Sequence, residues 1–255
     1  MRYYDLFIPV GSFCAASYHL RRSNLQIEAL PFDWIADLTF SKSIDFIVSR
    51  FEDFFKKENL KFLKIEGPNI CCLDTKYDLG FLHHMDCSLP FDDAYKKAKN
   101  TLNRRCARLL EKIQKAQSIL LVYTENKELN LEIIQSSLSK LQRIYPEKNI
   151  DLLIFDLSPE HKYSETYSIG KNITVAKINF ELQKDTFSGK AKEFKNILKN
   201  YHQTFNKGII ASTMNIYWNN FRRYFVKIIC MFIFNKEKRK VLRKKFHGNN
   251  SIFDK

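Results

Sequence analysis

Four short apolar runs, separated by stretches of helical spacing, constrain the fold of this chain more than any other feature. The runs are Asp5–Gly11, Ser118–Tyr123, Ile150–Leu157 and Ile173–Phe180, and continuous apolar runs of strand length read as strands buried on both faces. Helical segments lie between and after them. Ser12–Arg22 reads as a turn and helix with Ser12 as N-cap. Ser41–Lys57 carries Ile44, Ile47, Val48, Phe51, Phe54 and Phe55 at helical spacing. Phe91–Lys115 is a long helix opened by Pro90 and by Asp92 and Asp93, which suit its positive end. Leu129–Ile144 and Lys190–Tyr201 complete the helical set. Phe62–Phe81 fits two short strands around Gly67-Pro68-Asn69 and Asp74-Thr75-Lys76. Such alternation predicts an α/β fold of three layers, a mostly parallel sheet with helices on both faces.

Composition narrows the class. Of 255 residues 45% are hydrophobic, with 22 Phe and 12 Tyr against 7 Gly and 6 Pro, so the chain is globular rather than low-complexity. The first residues show no secretory signal, and the run Ile228–Phe234 is too short to span a bilayer; a cytoplasmic location follows as the expectation. Six cysteines at 14, 71, 72, 87, 106 and 230 are expected as free thiols in a reducing compartment. Their spacing lacks the paired pattern of a zinc site, and neither a metal nor another cofactor is expected.

The net charge of +14 is concentrated. Arg222 to His247 holds ten bases and one acid, leaving residues 1–221 only mildly basic. The expected organisation is an α/β domain over 1–210 and a basic amphipathic helical tail over 211–255. In that tail Phe221, Phe225, Ile228, Ile229 and Phe232 fall near one helix face. The composition suits a helix docked on the body, or an interfacial helix whose 222–247 segment is drawn to an anionic membrane surface. Nucleic acid ranks third as a partner.

Ligands in open α/β sheets sit beyond the carboxyl ends of strands, where Gly11-Ser12-Phe13-Cys14 lies. There a thiolate gains from the unpaired N–H groups of the following helix, and the N–H groups after Gly11 suit an oxyanion. Packing is the plainer role for a cysteine in such a place. His83 and His84, with Asp86 close behind, offer an imidazole base and an orienting acid; on an extended segment only one histidine can face the thiol. Asp33, between Phe32 and Trp34, is a second orienting candidate or a turn residue. Arg104 and Arg105 suit an anionic substrate group, though a solvated helix face accounts for at least one of them.

These pieces, in order, resemble a bacterial family of unknown function known as papain-like cysteine peptidases. The matching residues are Tyr4-Asp5-Leu6, Gly11-Ser12-x-Cys14, Leu20-Arg21-Arg22, Pro31-Phe32-Asp33-Trp34, Phe51-Glu52-Asp53-Phe54, Asp74-x-x-Tyr77, His83 and Arg104-Arg105. The resemblance implies Cys14 as nucleophile and His83 as base; the family has His-Asp-Phe where this chain has His83-His84-Met85, which opens the acid's place to His84 or Asp86. Papain-type enzymes put the cysteine on a helix before a separate β-rich half, whereas the alternation here looks more like a flavodoxin-like or SGNH-hydrolase-like layout. Relatives accompany glycan-assembly enzymes, so the implied activity is a cysteine hydrolase or acyltransferase on an acyl-, peptide- or glycan-type substrate at the inner membrane face. Two non-peptidase alternatives stand beside it: a non-catalytic glycan- or nucleotide-binding accessory protein with Cys14 as packing, and a glycosyltransferase-like enzyme.

Overall fold

The computed structural model describes residues 2–12, 14–158, 160–161, 164–178 and 191–204. The expected tail, with its 222–247 basic segment, lies outside the described residues. In chain order the elements are β1 (Arg2–Tyr4), β2 (Leu6–Pro9), α1 (Ala15–Arg22), β3 (Ile35–Ala36), α2 (Phe40–Val48), β4 (Leu60–Glu66), β5 (Asn69–Asp74), β6 (Leu79–Asp86), α3 (Phe91–Lys115), β7 (Ser118–Glu125), α4 (Leu131–Ile144), β8 (Asn149–Asp156), β9 (Glu165–Ile169), β10 (Ile173–Lys177), α5 (Ala191–Leu198) and β11 (Tyr201–Gln203).

The larger sheet has the order β2-β7-β8-β10-β9, with β9 antiparallel and the other four parallel. Side chains alternate across it, as the pleat requires. Ile119, Leu121, Tyr123, Ile150, Leu152 and Ile154 pack with apolar residues of α2, α3 and α4. Leu120, Val122, Leu153 and Phe155 pack with Ala16 and Leu20 of α1 and Phe194 and Leu198 of α5. Adjacent β2 and β7 therefore send their following helices to opposite faces. Such a divergence marks the usual place for a ligand in these sheets, beyond the carboxyl ends of the two strands.

Two expectations change here. A single mostly parallel sheet does not account for the chain: residues 60–86 form an antiparallel meander, which with β3 makes a second, four-stranded sheet of order β3-β6-β5-β4. Tight turns explain it, since Gly67 (φ 56°) and Asp78 (φ 53°) reverse the chain within a few residues, and so short a connection permits only antiparallel pairing. The strand order is not flavodoxin-like either, because the first strand of the larger sheet lies at its edge rather than second. A third, two-stranded sheet joins β1 to β11 in parallel, Arg2 opposite Tyr201.

The expected helix over 41–57 stops at Val48. Arg50, Phe51 and Phe55 have φ of 55°, 64° and 55°, in the left-handed region that a right-handed helix cannot use. Phe51, Phe54 and Phe55 are nevertheless buried, in tilted and edge-on contact with Phe32, Phe46 and Phe81. Helical spacing identified the buried residues but not their backbone. Among the described residues, no helix is long and apolar enough to cross a membrane.

Candidate active site

The turn after β2 is held by close approach to the end of β7. A Cβ on Gly11 would lie 2.2 Å from Thr124 Oγ1 and 3.1 Å from Thr124 N, so only glycine fits. Gly11→Ala is expected to destabilise the protein by about 1–3 kcal/mol, the usual cost of overpacking, read as a lowered urea midpoint. Ser12 does not cap α1, contrary to expectation. Its N–H donates to the Thr124 carbonyl at 3.1 Å, and its hydroxyl to the same carbonyl at 3.0 Å and to Glu125 Oε1 at 3.3 Å. The Ser12 N–H is thus occupied, and the donors available to an oxyanion are those of the first turn of α1, whose N-cap is Cys14. Glu125, buried, is filled by Tyr123 Oη at 2.5 Å and the N–H groups of Asn126 and Lys127; it fixes the loop.

Asp33 is the organising group. It is 0% exposed and accepts from Ser17 Oγ (2.7 Å), from Gln26 Nε2 (3.0 and 3.1 Å on its two oxygens), from the Leu30 N–H (3.1 Å) and from Arg21 in an ion pair. Ser17 and Arg21 reach one carboxylate because residues four apart share a helix face. Arg21 also lies over the Trp34 ring, 6.0 Å from its centroid, and Trp34 meets the exposed His83 edge-on at 6.3 Å. Trp34 has φ of 68°, a strained placement for a bulky residue.

Cys14 is 8% exposed. Burial pushes its thiol up to about 11, with the Asp33 charge adding to the rise. The expected resting thiolate at a helix start is therefore not present: desolvation outweighs the helix end. His84 presents two ring nitrogens that are both buried and without hydrogen-bond partners. Burial, then the nearby charge of Arg105, holds it down at about 3, so the imidazole is neutral; the Asp33 main chain acts weakly the other way. Arg105, half-buried on α3, is lowered by burial while Asp33 supports its charge.

The structure thus couples Cys14 and Arg105 each to the Asp33 charge, and His84 to Arg105, with Trp34 and His83 alongside. It sets two other candidates apart. Asp86 accepts from Ser88 N and Oγ and pairs with Lys97 at 3.6 Å, and Arg104 is exposed on α3. Among the described residues no hydrogen bond joins Cys14 to a histidine. Ser17, Gln26 and Glu125 were not singled out in the sequence; only the four-residue spacing of Ser17 and Arg21 signals any of this network.

A cysteine at the start of a helix, a histidine on a separate antiparallel sheet and a buried carboxylate tying the connecting loop together are residue types that a cysteine hydrolase uses. The chain belongs to the family described as "Putative papain-like cysteine peptidase (DUF1796)", which matches residues 5–157, more than half its length. An uncharacterized protein of Acanthamoeba polyphaga mimivirus is 25% identical over 170 residues, covering 60% of this chain and 72% of that protein. No solved structure matches.

Proposed function

We propose that this protein hydrolyses an acyl bond by way of a thioester on Cys14, with His84 carrying the proton. The observation behind this reading is that Asp33 meets both a buried thiol at a helix start and a histidine: its charge acts on Cys14 and its main chain on His84. In the step, Cys14 Sγ bonds to the acyl carbon while its proton passes to His84. Collapse breaks the bond to the leaving group, which departs with that proton; water, deprotonated by His84, then releases the acid and restores the thiol. First-turn N–H groups of α1 hold the developing oxyanion. A thiol held at about 11 and an imidazole held at about 3 oppose proton transfer in the resting site, so this reading places the transfer at the moment of attack, with substrate bound. Transfer of the acyl group to a glycan acceptor is the same chemistry with water replaced.

Incubation with p-nitrophenyl acetate is expected to give a burst of p-nitrophenolate and an acyl adduct mapped to Cys14. The burst should vanish in Cys14→Ala and slow by about 100-fold or more in His84→Ala. A larger loss in His83→Ala would transfer the proton to His83. The raised thiol favours a second reading, a non-catalytic glycan- or nucleotide-binding protein with Cys14 as packing. Absence of any Cys14 adduct would select it.

A further inference from the structure

Among the described residues, the partly buried cations on and facing α3 have acceptors, with one exception. Arg21 is bound by Asp33; Arg108 donates to the Ala29 carbonyl at 2.9 Å and lies 3.8 Å from Glu28; Lys112 pairs with Glu28 at 2.7 Å; Lys99 donates to the Phe54 and Phe55 carbonyls at 2.6 and 3.1 Å. Arg105 is half-buried, yet among the described residues it has no hydrogen-bond acceptor and no ion-pair partner. Asp33 feels its charge, but the Asp33 oxygens are already taken by Ser17, Gln26, Leu30 and Arg21. The nitrogens of His84, within reach of the same charge, meet no side-chain partner among the described residues. Arg21, Arg104 and Arg108 act on Arg105 as like charges, so the local field attracts anions.

We infer that Arg105 is the anion receptor of the site: the acyl substrate carries a carboxylate or phosphate group that this guanidinium holds beside Cys14. Five donors in a planar fork match two oxygens of either group. A neutral acyl chain would leave them empty. This deepens the hydrolase reading, on which the word substrate rests; the anion site itself does not depend on turnover.

The test uses two alkylating agents of nearly equal size, iodoacetate and iodoacetamide, on the full chain at low salt. With each, a bond forms from Cys14 Sγ to carbon, iodide leaves with the bonding pair and the thiol proton passes to solvent. Only iodoacetate brings a carboxylate. The iodoacetate-to-iodoacetamide rate ratio at Cys14, read by peptide mass spectrometry, is expected to exceed that of glutathione in the same buffer by about tenfold, from a charge-assisted hydrogen bond. It should fall to the glutathione value in Arg105→Gln, survive in part in Arg105→Lys, and hold in Arg104→Gln. A change in thiolate fraction moves both rates alike and cancels. Should Arg105→Gln fail to fold, competition on the wild type decides. Slowing of iodoacetate by acetate points to a carboxylate ligand and slowing by inorganic phosphate to a phosphate ligand; slowing by neither overturns the inference. A wild-type ratio equal to that of glutathione, or a raised ratio that persists in Arg105→Gln, overturns it as well. An acyl adduct on Cys14 with a flat ratio removes Arg105 alone, whereas a raised ratio without any adduct removes the hydrolase reading and leaves the anion site.

Discussion

Asp33→Ala is expected to lower the unfolding free energy by about 3–5 kcal/mol, the range for breaking a buried ion pair by removing one partner. The reason is the number of donors that converge there. Arg21, Ser17, Gln26 and the Leu30 N–H would all lose their acceptor, and Arg105 the one negative charge that supports it. Asp33→Asn keeps the shape and part of the hydrogen bonding but not the charge, so an intermediate loss is expected. Reactivity should move the other way. The Asp33 charge adds to the burial that raises Cys14, so in Asp33→Asn the thiol titrates below about 11, and its alkylation profile shifts to lower pH. Urea unfolding and the pH dependence of iodoacetamide labelling read the two effects separately. An unshifted labelling profile would show that burial alone sets the thiol.

The second large effect is a loss of stability in mild acid. Burial, aided by Arg22, holds His19 down at about 4, and burial with Arg105 holds His84 at about 3. Both values lie below that of an unfolded histidine, about 6.5. Above pH ~6.5 both states are neutral and the stability is intact. As pH falls below that value the unfolded chain takes up protons that the folded chain refuses, so stability declines until the folded pKa values are reached. The His19 share is on the order of 3 kcal/mol between pH 6.5 and 4. His19 is stacked on Phe194 with ring centroids 3.8 Å apart, so His19→Phe keeps the packing without the titration. The variant should match wild type near pH 8 and lose clearly less stability at pH 4.5 in urea titrations. Equal slopes in the two proteins would clear His19 of the effect.

Much of this architecture can be read from residue spacing where one face, or both, is buried. In α3 the core positions Ala94, Ala98, Leu102, Cys106, Leu109 and Ile113 follow the helical repeat, and Pro90 with Asp92 and Asp93 marks the start. β7 and β8 are buried on both sides, so their apolar runs are continuous. β4 has no such signature, because Phe62, Leu63 and Ile65 are exposed and their apolar character reports no core. The meander was therefore legible only in its turns. The candidate site divides along the same line. Cys14, Asp33, His84 and Arg105 stand out by residue type and neighbourhood. Gln26 and Glu125 act through contacts that only folding creates, the bond from Ser12 to Glu125 spanning 113 positions. Nothing in the spacing distinguishes His83 from His84; it is the bend of β6 against β5, where pairing slips between Ile70 and Cys72, that accompanies the burial of the second.

The pairing of Arg2–Tyr4 with Tyr201–Gln203 has a consequence for how the chain is made. On the ribosome, residues 2–4 emerge long before their partner strand exists. At translation speeds of about 5–20 residues per second the wait is on the order of 10–40 s. Leu6, Phe7 and Ile8 are also without a neighbour until residues 119–121 have been synthesised. The nascent chain therefore carries this apolar segment unpaired until residues 119–121 have followed it, a natural client for a chaperone. Closure of the first strand on the last described one is a late event, a latch set after the body has folded behind it.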